Sequence, residues 1–565
     1  MSGRHEPDHD LVDADVRNRH QQVRILLQTP ATTCMISKLT ARQNDWTWLL
    51  LLWGAALLLC CIDLAGVPLR DWDEGTVAQV AREMSRGGTW SAWLHPQLWG
   101  QPYLNKPPLL HSFIAVSFQL FGVQTWAARL PGAMLTATSV PMLYLLGREI
   151  FPARLYALMG AGAYLTWLPV VRHGRLAMLD GAVVCFFITL LWLLRRSQRQ
   201  PWAYLGVGGC FAAMCLTKGI LGGLLLAIAL LWVLWDAPKE WRSPYLWGSL
   251  VLGGIPVLGW YALQWQYYGD QFIDVTLLNQ NFSRVWETVD DHQGPPWYYL
   301  LELLKYSWPG LIFWPTGLWL TWRSRYTPWA KLILVWTVVY LLTISVMSTK
   351  LPWYIYPLYP AMAMTVGVAL TATWNRHRHW SGRELTLKRI PLGWAILLAL
   401  FSVGGAIGLV YASPWGPEPS LALAATGLGI MVTTGLAAYL AARQQTRFIP
   451  ILLIGLYASF LTLMLSDHWL WELGEAFPVL PVANLVNAQV PPEAALYMAD
   501  FYDRPSLDFY CDRRVVAQPS AVLLENWPQA TPMYVLTQNL EPYQSGAPQT
   551  TALGMAADWY LVVNQ

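Results

Sequence analysis

Apolar residues along this chain gather in long uninterrupted runs instead of alternating with polar ones, and the first, TWLLLLWGAALLLCCIDLAG, follows directly on a polar stretch. Runs near the ~20 residues that a helix needs to cross a bilayer recur at 177–194, 219–235, 245–263, 329–347, 392–411, 420–441 and 449–466. Basic clusters at Arg148/Arg154, Arg195/Arg196/Arg199, Lys239/Arg242, Arg323/Arg325 and from Arg376 to Lys388 mark cytoplasmic turns, and Arg24, Lys38 and Arg42 put the N-terminus on that side too. Counting every run gives about 14 crossings, but the basic clusters break strict alternation between 105 and 240. Either 109–122, interrupted by His111 and Ser112, does not span, or the pair 202–217 and 219–235 is not two crossings. The expectation is an α-helical polytopic membrane protein with about 13 transmembrane helices.

Three further segments frame that membrane part, 45–468. Residues 1–44 are polar and mixed in charge, with too little apolar surface to fold alone, and read as a flexible cytoplasmic tail. The loops 63–108 and 264–300, rich in aromatic and polar residues, fall outside the cell by the charge rule. Residues 469–565 carry the strand-like runs AALYMAD, SLDFYC, PMYVLTQ and WYLVV between polar turns, which predicts a small soluble α/β domain on the periplasmic side. Within the first loop, AQVAREMSR has helical apolar spacing through Val77, Val80, Ala81 and Met84, the pattern of a short surface-lying helix.

Composition agrees with a lipid environment. The chain of 565 residues is 55% hydrophobic and only 13% charged, about half the charge of a soluble domain. Its net charge of +3 gives no support to a nucleic-acid partner. Five of the seven cysteines lie in apolar runs without paired spacing, so neither a disulfide framework nor a zinc site is implied.

The polar residues beside the runs carry the candidate chemistry. RDWDEGTVAQVAREM sets Asp71, Asp73 and Glu74 at the mouth of the first run, where a carboxylate either caps a helix or serves as a base. NKPPLLHSF returns Lys106 to the same surface, its backbone restricted by two prolines, and MSTKLPWYIYPLYP brings Lys350 and Tyr354 to another entry point. Such cations either snorkel to headgroups or bind a phosphate. The second loop adds Asn279, Gln280, Asn281, Arg284 and His292. Inside the apolar part, Arg175 and Asp180 in RHGRLAMLDG and Lys218 in LTKG are either structural, with Arg175 and Asp180 as an ion pair, or line a cavity. An acid and several cations on one membrane face suit sugar transfer from a lipid-linked phosphate: the acid takes the acceptor's proton, and the cations stabilise the departing phosphate.

Taken in order, RDWDEGTVAQVAREM, PYLNKPPLLHSF, RLPGAM, RLAMLDG, LTKG, NQNFSR, GPPWYYLLELLKYSWP and STKLPWYIYPLYP resemble the bacterial branch of the protein mannosyltransferase family, which includes the aminoarabinose transferase of lipid A modification. The resemblance covers roughly 45–375 and implies a GT-C fold with periplasmic surface helices, a multi-pass plasma-membrane enzyme of the cell envelope, and a cavity open to the periplasm. It implies a polyprenyl-phosphate sugar donor, inversion at the anomeric carbon, Asp73 as general base with Glu74 orienting it, and Lys106, Arg284, Lys350 and Tyr354 at the donor phosphate. The lipid A enzymes carry Glu where this chain has Asn105, and His where Asn281 aligns, so neither their metal ligand nor their acceptor carries over. The acceptor is thus a lipid, a glycan or a protein hydroxyl. No cofactor is implied; a divalent ion is compatible with the chain but not predicted, since Asp73, Glu74, Asp290 and Asp291 lack a ligand spacing. The rival class is a transporter or lipid flippase, which would show pseudo-symmetric halves that this sequence lacks.

Overall fold

Long apolar runs leave the backbone one way to satisfy its polar groups in lipid, which is to bond within the segment as a helix. The computed structural model describes residues 31–283, 286, 293–377, 385–470, 477–527, 532–545 and 550–564, and its membrane part is helical throughout. Among these residues six helices are long and apolar enough to cross a bilayer: Thr125–Ile150, Pro244–Tyr268, Pro328–Val346, Pro352–Trp374, Leu392–Tyr411 and Leu421–Ala442. Five shorter apolar helices accompany them. The chain is a multi-pass membrane protein, although these helices do not establish the count of about 13.

Of the two doubtful places in the topology, one is a short helix and the other a broken one. Leu109–Phe121 has 13 residues, and at 1.5 Å per residue it covers about 20 Å, short of a ~30 Å hydrocarbon core. Ala203–Lys218 and Ile220–Asp236 are separate helices, parted at Gly219, whose φ of +56° an L side chain rarely adopts. Lys218 therefore stands at a break.

Outside the membrane part, the first loop folds as the turn Asp71–Gly75, the helix Thr76–Arg86, a short helix Trp90–Leu94 and a two-stranded hairpin of β1 (Gln97–Leu98) and β2 (Gln101–Pro102). The anticipated face Val77, Val80, Ala81 and Met84 is buried against Leu110, Ile114 and Phe118. The C-terminal region is a five-stranded sheet of β3 (Leu496–Ala499), β4 (Val515–Gln518), β5 (Tyr534–Thr537), β6 (Thr550–Ala556) and β7 (Trp559–Asn564), in the order β4-β3-β5-β7-β6. β3 pairs parallel with β4 and β5; β7 runs antiparallel to β5 and β6.

One strand expectation is corrected. SLDFYC belongs to the helix Pro505–Cys511: Pro505 presets its first turn, Leu507 and Cys511, four residues apart, are buried in the core of the sheet region, and Phe509 is buried against the first-loop helix. By packing, the chain divides into Met1–Gly54 and Ala55–Gln565, so the sheet region and the membrane helices after Gly54 form one unit. The described part of Met1–Gly54 belongs to the helix Ala31–Cys61.

Candidate active site

The turn Asp71–Gly75 closes with a bond from Gly75 N to Arg70 O, five residues apart, and this wider spacing sends its three carboxylates in different directions. Glu74 is fully buried and meets Arg129 through two bonds, Nε to Oε1 at 2.8 Å and Nη2 to Oε2 at 2.7 Å. It also accepts from the amides of Ala177 at 2.7 Å and Arg70 at 3.1 Å. Burial would raise this carboxyl, yet Arg129 and the two amides hold it below the ordinary carboxylate range. Arg129 donates in addition to the carbonyls of Leu64, Val67 and Pro68, tying the loop to the helix Thr125–Ile150. Asp71 is also buried, bonded to Arg504 and Ser506.

Asp73 is half-buried between these two anchors. Its neighbour Tyr103 reports its position: burial, and after it the Asp73 carboxylate, push that phenol above its ordinary value. Tyr103 packs edge-on against His111 at 5.3 Å between ring centres and is followed, three residues on, by Lys106. Lys106 Nζ donates to Gln280 Oε1 at 3.1 Å, and Thr276 Oγ1 to Leu104 O at 2.6 Å, which stitches the first loop to the second.

Lys106 and Gln280 open into a cavity of about 540 Å³. Its lining combines the polar Lys106, Asp180, Lys218, Gln280 and Tyr354 with apolar side chains, Ile220, Leu221, Leu224 and Leu342 among them. Lys218 Nζ lies 2.6 Å from Asp180 Oδ1 and 6.0 Å from the centre of the Tyr354 ring. Asp180 so orients one ammonium and offsets its charge. The Tyr354 backbone carbonyl accepts from the Tyr340 hydroxyl at 2.7 Å, which fixes this wall.

Four expected residues thus share one cavity: Lys106, Asp180, Lys218 and Tyr354. Asp73 and Glu74, on the turn, are not part of its lining, and Lys350 and Arg175 stand elsewhere again. Lys350 is 3% exposed and donates to the carbonyls of Ile344 at 3.0 Å, Ser345 at 2.7 Å and Met347, the unpaired end of the helix Pro328–Val346. Burial lowers its ammonium pKa. Arg175 is not the partner of Asp180: it donates to Leu59 O at 2.9 Å and Asp63 O at 3.1 Å and stacks on Trp469. The anticipated ion pair fails because the break at Gly219 brings Lys218 to Asp180 instead. Arg284, His292 and the Asn281 side chain lie outside the described residues. Among those described, no group of three or more metal-ligating side chains occurs. Reading the sequence missed Arg129, Arg504 and Ser506; RLPGAM held the first among its ordered motifs, while nothing local marks the other two.

Comparisons with known proteins bear on family likeness and fold. The family model for dolichyl-phosphate-mannose-protein mannosyltransferase matches residues 105–261. The crystal structure of ArnT from Cupriavidus metallidurans bound to undecaprenyl phosphate superposes with a TM-score of 0.73 at 19% identity, covering 92% of this chain and 98% of that one. The fold is the GT-C fold. Among curated relatives of this GT-C chain, an undecaprenyl phosphate-alpha-4-amino-4-deoxy-L-arabinose arabinosyl transferase of Pseudomonas fluorescens is 29% identical over 381 residues, 65% of this chain and 66% of the relative. One of the same description from Erwinia tasmaniensis is 26% identical over 400 residues, 68% and 70% of the two chains. The match to the first three relatives spans 66%, 60% and 60% of their length, just under two thirds. In sequence the chain is thus similar to aminoarabinose and mannosyl transferases, and in fold to the GT-C proteins.

Proposed function

We propose that this chain is a glycosyltransferase of the bacterial inner membrane that moves a sugar from a polyprenyl-phosphate donor to a lipid acceptor, with inversion, in a site facing the periplasm. The observation that carries the reading is one cavity lined by two lysines, hydrogen-bonding groups and apolar side chains, chemistry that suits a phosphate joined to an isoprenoid chain. Similarity to proteins named for an undecaprenyl-phosphate donor supports it, and makes an aminoarabinose donor the first to try. Of the three acceptor classes the sequence left open, only the lipid gains support from these relatives.

Asp73 acts as the general base in this reading. It takes the proton from an acceptor hydroxyl, the oxygen attacks the anomeric carbon, and the bond from that carbon to the phosphate oxygen breaks, the electron pair leaving with polyprenyl phosphate. Lys106, Lys218 and Tyr354 stabilise the growing charge on the leaving phosphate, a role that this reading also gives to Arg284. Glu74 acts through Arg129, orienting the turn that carries the base. Lys350 supports the Tyr354 wall through the helix end.

The test is turnover of radiolabelled polyprenyl-phosphate sugars by wild type, Asp73→Asn and Lys106→Ala. Expected are donor consumption by wild type and losses of about 100-fold or more in both variants, the scale of removing a positioned base or a charge-stabilising donor. Specific donor binding without turnover in all three proteins would overturn transfer in favour of a flippase.

A further inference from the structure

The turn that carries the proposed base is gripped from the far end of the chain. Asp71, 1% exposed, accepts from Arg504 Nη1 at 2.9 Å and from Ser506 Oγ, residues more than four hundred positions away. Arg504 is steadied by Asp500 at 3.2 Å, and its guanidinium lies 5.4 Å from the centre of the Trp72 ring. Trp72 Nε1 donates to Asp503 O at 3.0 Å. On the other side of Asp73, a Cβ added to Gly75 would stand 2.5 Å from Ser506 N, so only glycine lets the two backbones approach this closely. Residues 71, 72 and 75 therefore each meet the stretch 503–506.

Stability alone is a poor reason for this arrangement, since a buried ion pair loses in desolvation much of what it gains in attraction. What charge-assisted bonds in a fixed fork geometry do supply is orientation. A base needs that, because an error of about 1 Å in a reacting group can lower turnover about 100-fold.

We propose that Arg504 and Ser506, acting through Asp71, are positioning residues that make the C-terminal domain a clamp on the catalytic turn. The inference rests on the reading of Asp73 as base. In it, Asp71 and Glu74 are the two jaw contacts, one to the C-terminal domain and one to Arg129, and the angle of Asp73 towards the acceptor is set between them.

The test compares full-length Arg504→Ala, Arg504→Lys and Ser506→Ala with Arg86→Ala, which removes the exposed Arg86–Asp512 pair of the same domain contact. Kinetics with the labelled donor are read beside hydrogen exchange over 69–76. Arg504→Ala is expected to lower kcat about tenfold or more with donor KM within about twofold, and to raise exchange over 69–76. Arg504→Lys, which keeps the charge and loses the fork, should fall between, Ser506→Ala should follow it, and Arg86→Ala should match wild type. Unchanged exchange over 69–76 in Arg504→Ala would overturn the clamp, as would raised exchange with unchanged kcat. A loss of folding in Arg504→Ala leaves the decision to Arg504→Lys and Ser506→Ala, read in the same way. Wild-type turnover by Asp73→Asn would sink the base reading separately, while the exchange result would still report whether the contact holds the turn.

Discussion

Asp71, Asp73 and Glu74 sit within four residues and meet three different surroundings. Asp71 pairs with Arg504, Glu74 with Arg129, and the half-buried Asp73 stands between them beside Tyr103. Glu74→Gln would strand the fully buried Arg129 charge, so a loss of about 3–5 kcal/mol in stability is expected, measured by thermal unfolding in detergent. The pH dependence follows from the lowered carboxyl: its contribution is fully present above the ordinary value near about 4.3 and is lost as pH falls through the lower folded value. Wild type and Glu74→Gln should therefore converge in acid and differ most near neutrality. The sequence made the acids legible as a group but not their division of labour, because the partners of Asp71 and Glu74 are cations 55 or more positions away.

Among the elements, local pattern decided what local pattern can. The helix Thr76–Arg86 formed with its anticipated apolar face, β3 and β5 fall within two of the four expected strand runs, and β7 covers a third. SLDFYC became a helix because Pro505 and tertiary burial outweigh a short apolar run, for which period cannot separate strand from helix. In that helix Asp508 is 4% exposed, and burial raises its carboxyl to about 7 despite a bond from Val515 N at 2.8 Å. An acid raised on folding has the opposite sign to Glu74: its proton is lost from the unfolded chain first, so stability falls as pH rises from about 4 to about 7. Asp508→Asn keeps an acceptor for Val515 and should stabilise the protein at pH 8 by on the order of 2–4 kcal/mol, with no gain near pH 4. Denaturation followed at both pH values checks this; equal effects would contradict it.

At the scale of the molecule, the cavity joins residues from five separated stretches, with Lys106, Asp180, Lys218, Gln280 and Tyr354 among its polar lining. If its apolar wall holds the isoprenoid chain, Leu224→Trp should raise KM for a long-chain donor about tenfold and leave kcat nearly unchanged, since it removes binding shared by ground and transition states. A donor with a short chain should be much less affected, and equal losses for both would place the tail elsewhere. The amino-acid pattern alone settled the membrane class, the surface helix, the rough extent of the C-terminal sheet region and the ordered motifs, because apolar period, run length and proline placement act over a few turns of chain. Only tertiary structure chose the partners: Lys218 rather than Arg175 for Asp180, helix-end carbonyls for Lys350, and Arg504 for Asp71. A buried charge takes whichever counter-charge or dipole the packed chain brings within bonding distance, and that distance is set by where helices break and cross, not by separation along the sequence.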